Sequence, residues 1–211
     1  MTRIHKSTDV RKKEIIGAVR RLIIKHGSEH VSIRNIAKEV NLSEAAIYRH
    51  FKSKGEVLEF LARDIINGLI NDIDTVDKNM SEAGDFIDSV LKMHLSSIEQ
   101  RKGISFQVIA EIISFGDKKN NMQVTEGINK YLTQLKNLLS KGIQAGLIRD
   151  DINLEAASIG LFGMIQGLVN MWALSDYSFD LVERYESLWK VFREAIFIST
   201  QKNDLETSRE K

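Results

Sequence analysis

The 211-residue chain contains no cysteine. That excludes disulfides, thiolate metal sites and cysteine nucleophiles, and it fits a reducing cytoplasm. It contains no proline either. With no proline to break a helix and with strong helix formers dominating, an almost entirely helical protein is predicted. The N-terminal stretch MTRIHKSTDVRKK holds no apolar run, so no secretory signal is expected there. Net charge is nearly absent as well: 30 Lys and Arg stand against 29 Asp and Glu.

That balance hides a division. Residues 1–55 hold 13 Lys and Arg against 5 Asp and Glu, whereas residues 56–211 hold 17 against 24. A basic N-terminal quarter on an acidic body points to a polyanionic partner at one end. Apolar residues at 43% suffice for a core, and 28% charged residues is ordinary for a globular chain.

Apolar spacing and capping residues place the helices. Asp9 to His26 repeats at helical intervals and stops at Gly27. Ser32 caps a short helix to about Val40, and Ser43 caps another through Phe51. Ser53-Lys-Gly-Glu56 reads as a capping box opening a longer helix to Asp77. Further helices are expected over 82–100, 105–115, 124–145, 154–174 and 180–199, with Gly103, Gly116, Gly146 and Asp150-Asp151 as breaks. No β-hairpin signal is present.

The stretch from Ile33 to Phe51 has the pattern of two helices about a tight turn. Ile36, Ala37 and Val40 form one inner face; Ile47 and Phe51 form the other; Asn41 sits where a left-handed backbone is expected. This is a helix-turn-helix, which lays its second helix in the DNA major groove. Ser43, Glu44, Ala45, Ala46, Tyr48, Arg49 and His50 then point outward. Ser43 and the free amides at the helix start suit a phosphate. Tyr48 and His50 suit backbone oxygens. Arg49 suits a guanine edge, and Ala45 and Ala46 allow close approach to a thymine methyl. Arg34 and Lys54 flank the helix within reach of phosphates, and Arg3 and Lys6 lie in an N-terminal arm.

Ser43-x-x-x-Ile47-Tyr48-Arg49-His50-Phe51-Lys52-Ser53-Lys54-x-x-Val57-Leu58, with Val31-Ser32-Ile33-Arg34-x-Ile36-Ala37 upstream, resembles the N-terminal signature of the tetracycline-repressor (TetR) family. The match covers about Val10 to Leu61. The resemblance implies an all-α dimeric regulator of about nine helices, divided into a helix-turn-helix domain over 1–55, a ligand-binding and dimerisation domain over 56–201, and a frayed polar tail over 202–211. It implies phosphate contacts from Ser32, Arg34, Ser43, Tyr48, His50 and Lys54, with Glu44, Ala45 and Arg49 facing bases. Glu44 departs from the basic or small residue usual there. It either accepts from a cytosine amino group or favours the helix N-terminus electrostatically.

Ala156 to Leu174 runs 19 residues without a charge, the threshold length for a membrane span. Ser158, Gln166 and Asn170 inside it, and acidic rather than basic flanks, argue against insertion. As a soluble helix it carries Ala156, Gly160, Gly163, Gly167 and Leu174 on one stripe, flanked by Gln166 and Asn170. Interior glycines cost about 1 kcal/mol each relative to alanine, so their alignment suggests close approach of another backbone, most simply a second copy across a two-fold axis. Tyr185, Leu188, Trp189 and Phe192 on the last helix would complete that contact. Leu161, Ile165 and Trp172 on the opposite face, with Phe60, Phe86, His94, Phe106, Gln107 and Tyr131, are candidates to line an effector pocket, such as the resemblance implies. Core packing explains the same residues.

No Glu-x-x-His, His-Glu-x-x-His, P-loop or Gly-x-Ser-x-Gly pattern occurs, and the five histidines show no metal-ligand spacing. No catalytic residue, metal or cofactor is expected. The reading is a cytoplasmic repressor that binds a palindromic operator as a dimer and is released by a small lipophilic effector. The alternative is an architectural or cell-cycle DNA-binding protein on the same scaffold.

Overall fold

A computed structural model describes residues 7–77, 83–100, 108–109, 112–113 and 116–198. Among these the elements are α1 (Thr8–His26), a 3-10 turn (Ser28–His30), α2 (Ile33–Glu39), α3 (Glu44–Tyr48), α4 (Lys54–Asp77), α5 (Ala83–Gln100), α6 (Lys118–Gln144), α7 (Leu154–Leu174) and α8 (Leu181–Ile196). Residues 108–109 and 112–113, inside the helix expected over 105–115, are helical. Arg3, Lys6, Phe106, Gln107 and the tail over 202–211 lie outside the described residues.

The capping residues start helices as expected. Ser32, Ser43, Asn153 and Asp180 each accept the amide three residues on, satisfying a donor that the helix itself leaves free. α3 is shorter than its pattern. It ends at Tyr48, and the chain continues to Phe51 as a turn in which the His50 and Phe51 amides both donate to the Ile47 carbonyl. α6 begins six residues before its expected start. Asp117 Oδ1 accepts the amides of Lys119 and Asn120 at 2.9 and 3.3 Å and caps a polar first turn that carries no apolar period. An isolated antiparallel bridge, Ile148 to Phe197, pins the α6–α7 loop to the segment after α8.

The chain divides into two compact units, Met1–Leu69 with Ser97–Lys130 and Ile70–Ser96 with Tyr131–Lys211. In the first unit Ile15, Val19, Ile36, Ile47, Phe51, Leu58 and Leu61 form the core. The starts of α4 and α6 approach closely there. A Cβ on Gly55 would stand 2.8 Å from Asn120 Nδ2, and one on Gly127 would stand 3.1 Å from Ile66. In the second unit Leu91, Leu95, Leu135, Leu139, Leu161, Leu168 and Trp172 are buried. Tyr185 donates its hydroxyl to Asp88 at 2.9 Å, joining α8 to α5.

Candidate nucleic-acid interface

The turn before the recognition helix is set by one left-handed residue. Asn41 has φ 53°, a conformation that Asn tolerates better than most residues. Its amide donates to Lys38, and the Leu42 amide donates to Ala37. α2 is thereby closed and α3 begins three residues later. Ile47 and Phe51 are buried, so the remaining side of α3 must face outward.

Ser43, Glu44, Ala45, Tyr48 and Arg49 are exposed, while Ala46 and His50 are half-buried. The Ser43 hydroxyl oxygen accepts from Ala46 N at 3.2 Å. Ser32 accepts from Asn35 N at 3.1 Å. Each hydroxyl proton still has a free direction in which to donate to a phosphate. Arg34 is exposed on α2. Lys54 Nζ lies 3.5 Å from the Ser28 carbonyl, so part of its donor capacity is spent inside the protein.

His50 is the least ordinary member. Its Nδ1 is buried without a hydrogen-bond partner among the described residues. Burial, followed by the charges of Arg11, Lys12 and Arg49, pushes its pKa below the usual histidine value. The ring is held neutral where a phosphate would favour the cation. Sequence reading did not single out Lys12. It stands 5.3 Å from the Phe51 ring centre and 5.6 Å from that of Phe60, whose rings meet edge to face. A single basic residue at a half-buried helix position gives no signal in the sequence.

Phe60, expected in an effector pocket, packs instead within the first unit against Phe51, Lys12 and Arg63. Its position one turn after the buried Val57 and next to Leu61 turns it toward the recognition segment. His94 and Tyr131 do come together in the second unit. His94 Nδ1 lies 3.1 Å from the Tyr131 hydroxyl, and Tyr131 meets Phe162 edge to face. Burial, then Asp72, raises the Tyr131 pKa and keeps the phenol protonated. Leu161, Ile165 and Trp172 are buried on one face of α7, and Trp172 Nε1 donates to the Phe179 carbonyl at 2.9 Å. The Phe86 backbone lies in α5.

The opposite face of α7 is bare. Ala156, Gly160, Gly163, Gly167 and Leu174 are exposed, with Gln166 and Asn170 half-buried beside them. A Cβ on Gly163 or Gly167 would meet nothing within 4 Å, while one on Gly160 would sit 3.5 Å from Phe192. Ile159, Met171 and Val191, absent from the sequence-based set, extend the apolar surface with Leu188. Tyr185 must be removed from that set. It is fully buried and bonded to Asp88, so it serves its own subunit. Trp189 is 7% exposed and stacks between Tyr185 and Phe192, which leaves it little to offer a second chain. Helical spacing alone put both on the outer face, whereas α8 in fact turns that stripe toward the body.

α7 is the one helix among the described residues long and apolar enough to cross a membrane, with a third of that window buried. No cluster of three or more metal-ligating side chains occurs among the described residues.

The family model for bacterial regulatory proteins of the tetR family matches residues 15–61, and the model for the YsiA-like C-terminal region matches residues 62–195. The chain is 25% identical over 173 residues to the fatty acid metabolism regulator protein of Bacillus subtilis, covering 80% of this chain and 87% of the relative. It is 23% identical over 180 residues to the nucleoid occlusion factor SlmA of Vibrio vulnificus, covering 85% and 92%. Among solved structures, the transcriptional regulator FadR from Bacillus subtilis in complex with stearoyl-CoA superposes with a TM-score of 0.75 at 23% identity, covering 85% of this chain and 96% of that one. The helix-turn-helix with its outward Tyr48 and Arg49, and two family models that together span residues 15–195, lead to one assignment: the chain belongs to the tetR family and is a DNA-binding transcriptional regulator.

Proposed function

We propose that the protein is a cytoplasmic repressor that binds a palindromic operator as a homodimer and is released by a long-chain acyl thioester of coenzyme A. The observation that carries the DNA-reading half is the outward surface of the Ser43-capped α3, with its anchors Ile47 and Phe51 buried behind it. Ser32, Arg34, Ser43, Tyr48, His50 and Lys54 would hold phosphates, and Glu44, Ala45, Ala46 and Arg49 would face base edges. The bare glycine stripe of α7, with Leu188 and Phe192 of α8, supports an isologous dimer. Two α3 helices would then read half-sites about one DNA turn apart, roughly 34–36 Å.

The effector class rests on likeness along the body of the chain to a regulator bound to stearoyl-CoA and to a fatty acid metabolism regulator. An acyl chain suits an interior lined by Leu161, Ile165 and Trp172. His94 and Tyr131 offer polar atoms within the same unit. Linkage requires that an effector which weakens operator binding be weakened by operator in return.

Selection of bound sites from random DNA, followed by titration of the complex with acyl-CoA of 8 to 18 carbons, tests this reading. A palindrome and chain-length-dependent release are expected. Release by no acyl-CoA would remove the effector assignment and favour the second reading, a DNA-binding factor without small-molecule control. The 23% identity to a nucleoid occlusion factor supports that alternative.

A further inference from the structure

Residues 1–55 hold 5 acidic side chains, Asp9, Glu14, Glu29, Glu39 and Glu44. Glu14 pairs with Arg11 at 2.7 Å, Glu39 pairs with Arg21 at 2.8 Å, and Glu29 stands 3.5 Å from His30 Nδ1. Asp9 lies in the first turn of α1, where 19 residues of aligned peptide dipoles favour an anion. Glu44 differs from all of these. It is exposed, and it makes no hydrogen bond or ion pair with any described residue.

Helix electrostatics do not account for it. α3 spans 5 residues, so few peptide dipoles add up at its start. Its cap is already supplied. Ser43 Oγ accepts the Ala46 amide at 3.2 Å, and the Ser43 carbonyl accepts the amides of Ala46 and Ile47 at 2.9 and 3.2 Å. Burial of Ile47 holds the helix from behind. Glu44 lies one turn before Tyr48, so the two share one flank of α3, and Tyr48 is 53% exposed there. A free carboxylate on a surface that meets DNA is repelled by the phosphate rows on both sides of the groove. That repulsion is offset only where a base edge presents a donor.

We propose that Glu44 is a specificity-determining residue: its carboxylate accepts from a cytosine amino group in the major groove and weakens binding to every half-site that lacks one there. The role rests on the operator-reading function proposed above and narrows it to one base. Adenine and cytosine both carry an amino group in the major groove. Adenine N6 stands between two acceptors, its own N7 and the thymine O4, which repel a carboxylate from both sides. Cytosine N4 has an acceptor on one side only, the guanine O6, and so leaves the carboxylate an approach. The same charge loosens the hold on other sequences. It therefore widens the gap between operator and random DNA from both ends.

Sites are selected from a random duplex library with full-length wild type, Glu44→Ala and Glu44→Gln. Fluorescence anisotropy then compares the wild-type operator, the same operator changed at one base pair, and a random duplex of equal length, with thermal melting alongside. The wild type should require cytosine at one position of each half-site, and loss of that base should weaken binding about tenfold. In E44A the same change should matter by less than about twofold, while affinity for the random duplex rises about two- to fivefold as the repulsion is removed. E44Q should move the preference at that position toward adenine, because an amide can donate to N7 while it accepts from N6. An E44A protein that keeps the wild-type base preference at every position overturns the proposal. So does a position sensitive to E44A that holds any base other than cytosine. A parallel loss of melting temperature and of both affinities also overturns it, because that is what a charge serving only the helix start gives. A wild-type protein with no preference for any duplex would remove the operator reading itself, and this role with it.

Discussion

Ser53 and Glu56 close a reciprocal ring at the start of α4: Ser53 Oγ accepts the Glu56 amide at 3.2 Å, and Glu56 Oε2 accepts the Lys52 amide at 2.6 Å. The carboxylate reaches one residue further back than a capping box requires. The ring therefore ties α4 to the segment that follows Phe51. Ser53→Ala should cost about 1 kcal/mol, a fall of roughly 2–4 °C in melting temperature for a chain of this size. Operator affinity should fall with it, because Lys54 and the end of the recognition segment share the loosened turn. Calorimetry and anisotropy on the same variant check both. An unchanged melting temperature would mean that the ring contributes nothing.

The helix-turn-helix was legible because its signals are local. Ser32, Ser43 and Ser53 each act within three residues, and Asn41 takes the left-handed backbone that its position requires. The bounds of α4 and α7 follow from caps and unbroken apolar period in the same way. What was not legible depends on partners distant in sequence. Tyr185 and Leu188 share helical spacing, yet only Tyr185 finds Asp88, 97 residues away, and turns inward. Phe60 reads as one more apolar residue until Lys12 and Phe51 stand against it.

His50 predicts a pH dependence. In the free protein its pKa lies below the usual histidine value, first through burial and then through Arg11, Lys12 and Arg49. A phosphate beside the ring offsets those cations and raises the pKa, so binding takes up a proton. Operator affinity should rise as the pH falls from 7 through the histidine range, and His50→Gln should flatten that slope. The effect on folding has the opposite sign. With the folded value below the unfolded one, the unfolded chain binds more protons in that window, so stability falls as the pH drops through about 6.5. The difference between wild type and His50→Gln isolates this group from the other histidines. Identical slopes would remove His50 from the phosphate contacts.

The buried pair of the second unit predicts a stability effect. Tyr131→Phe removes the hydroxyl that lies 3.1 Å from His94 Nδ1 and leaves that nitrogen in an interior where His94 is 1% exposed. Loss of a buried partner costs about 1–3 kcal/mol. The melting temperature should fall, while DNA selectivity at constant folded fraction should not change, because the pair belongs to the second unit and the recognition helix to the first. A changed operator-to-random ratio would show that the pair also acts on DNA reading.

The glycine stripe gives the sharpest test of assembly. A side chain at Gly163 or Gly167 meets nothing within 4 Å in the subunit. Gly163→Leu and Gly167→Leu therefore leave the subunit's own packing intact, and replacing a helix-interior glycine favours α7 by about 0.5–1 kcal/mol. If a second copy lies against this face, the added side chains must separate the two backbones. Sedimentation equilibrium should then show dimerisation weakened at least tenfold, with helicity by circular dichroism unchanged. Operator affinity should drop with the dimer, since half of a palindrome holds one head with half the contacts. A variant that stays dimeric at wild-type concentrations would move the seam off α7, and the stripe would need another occupant.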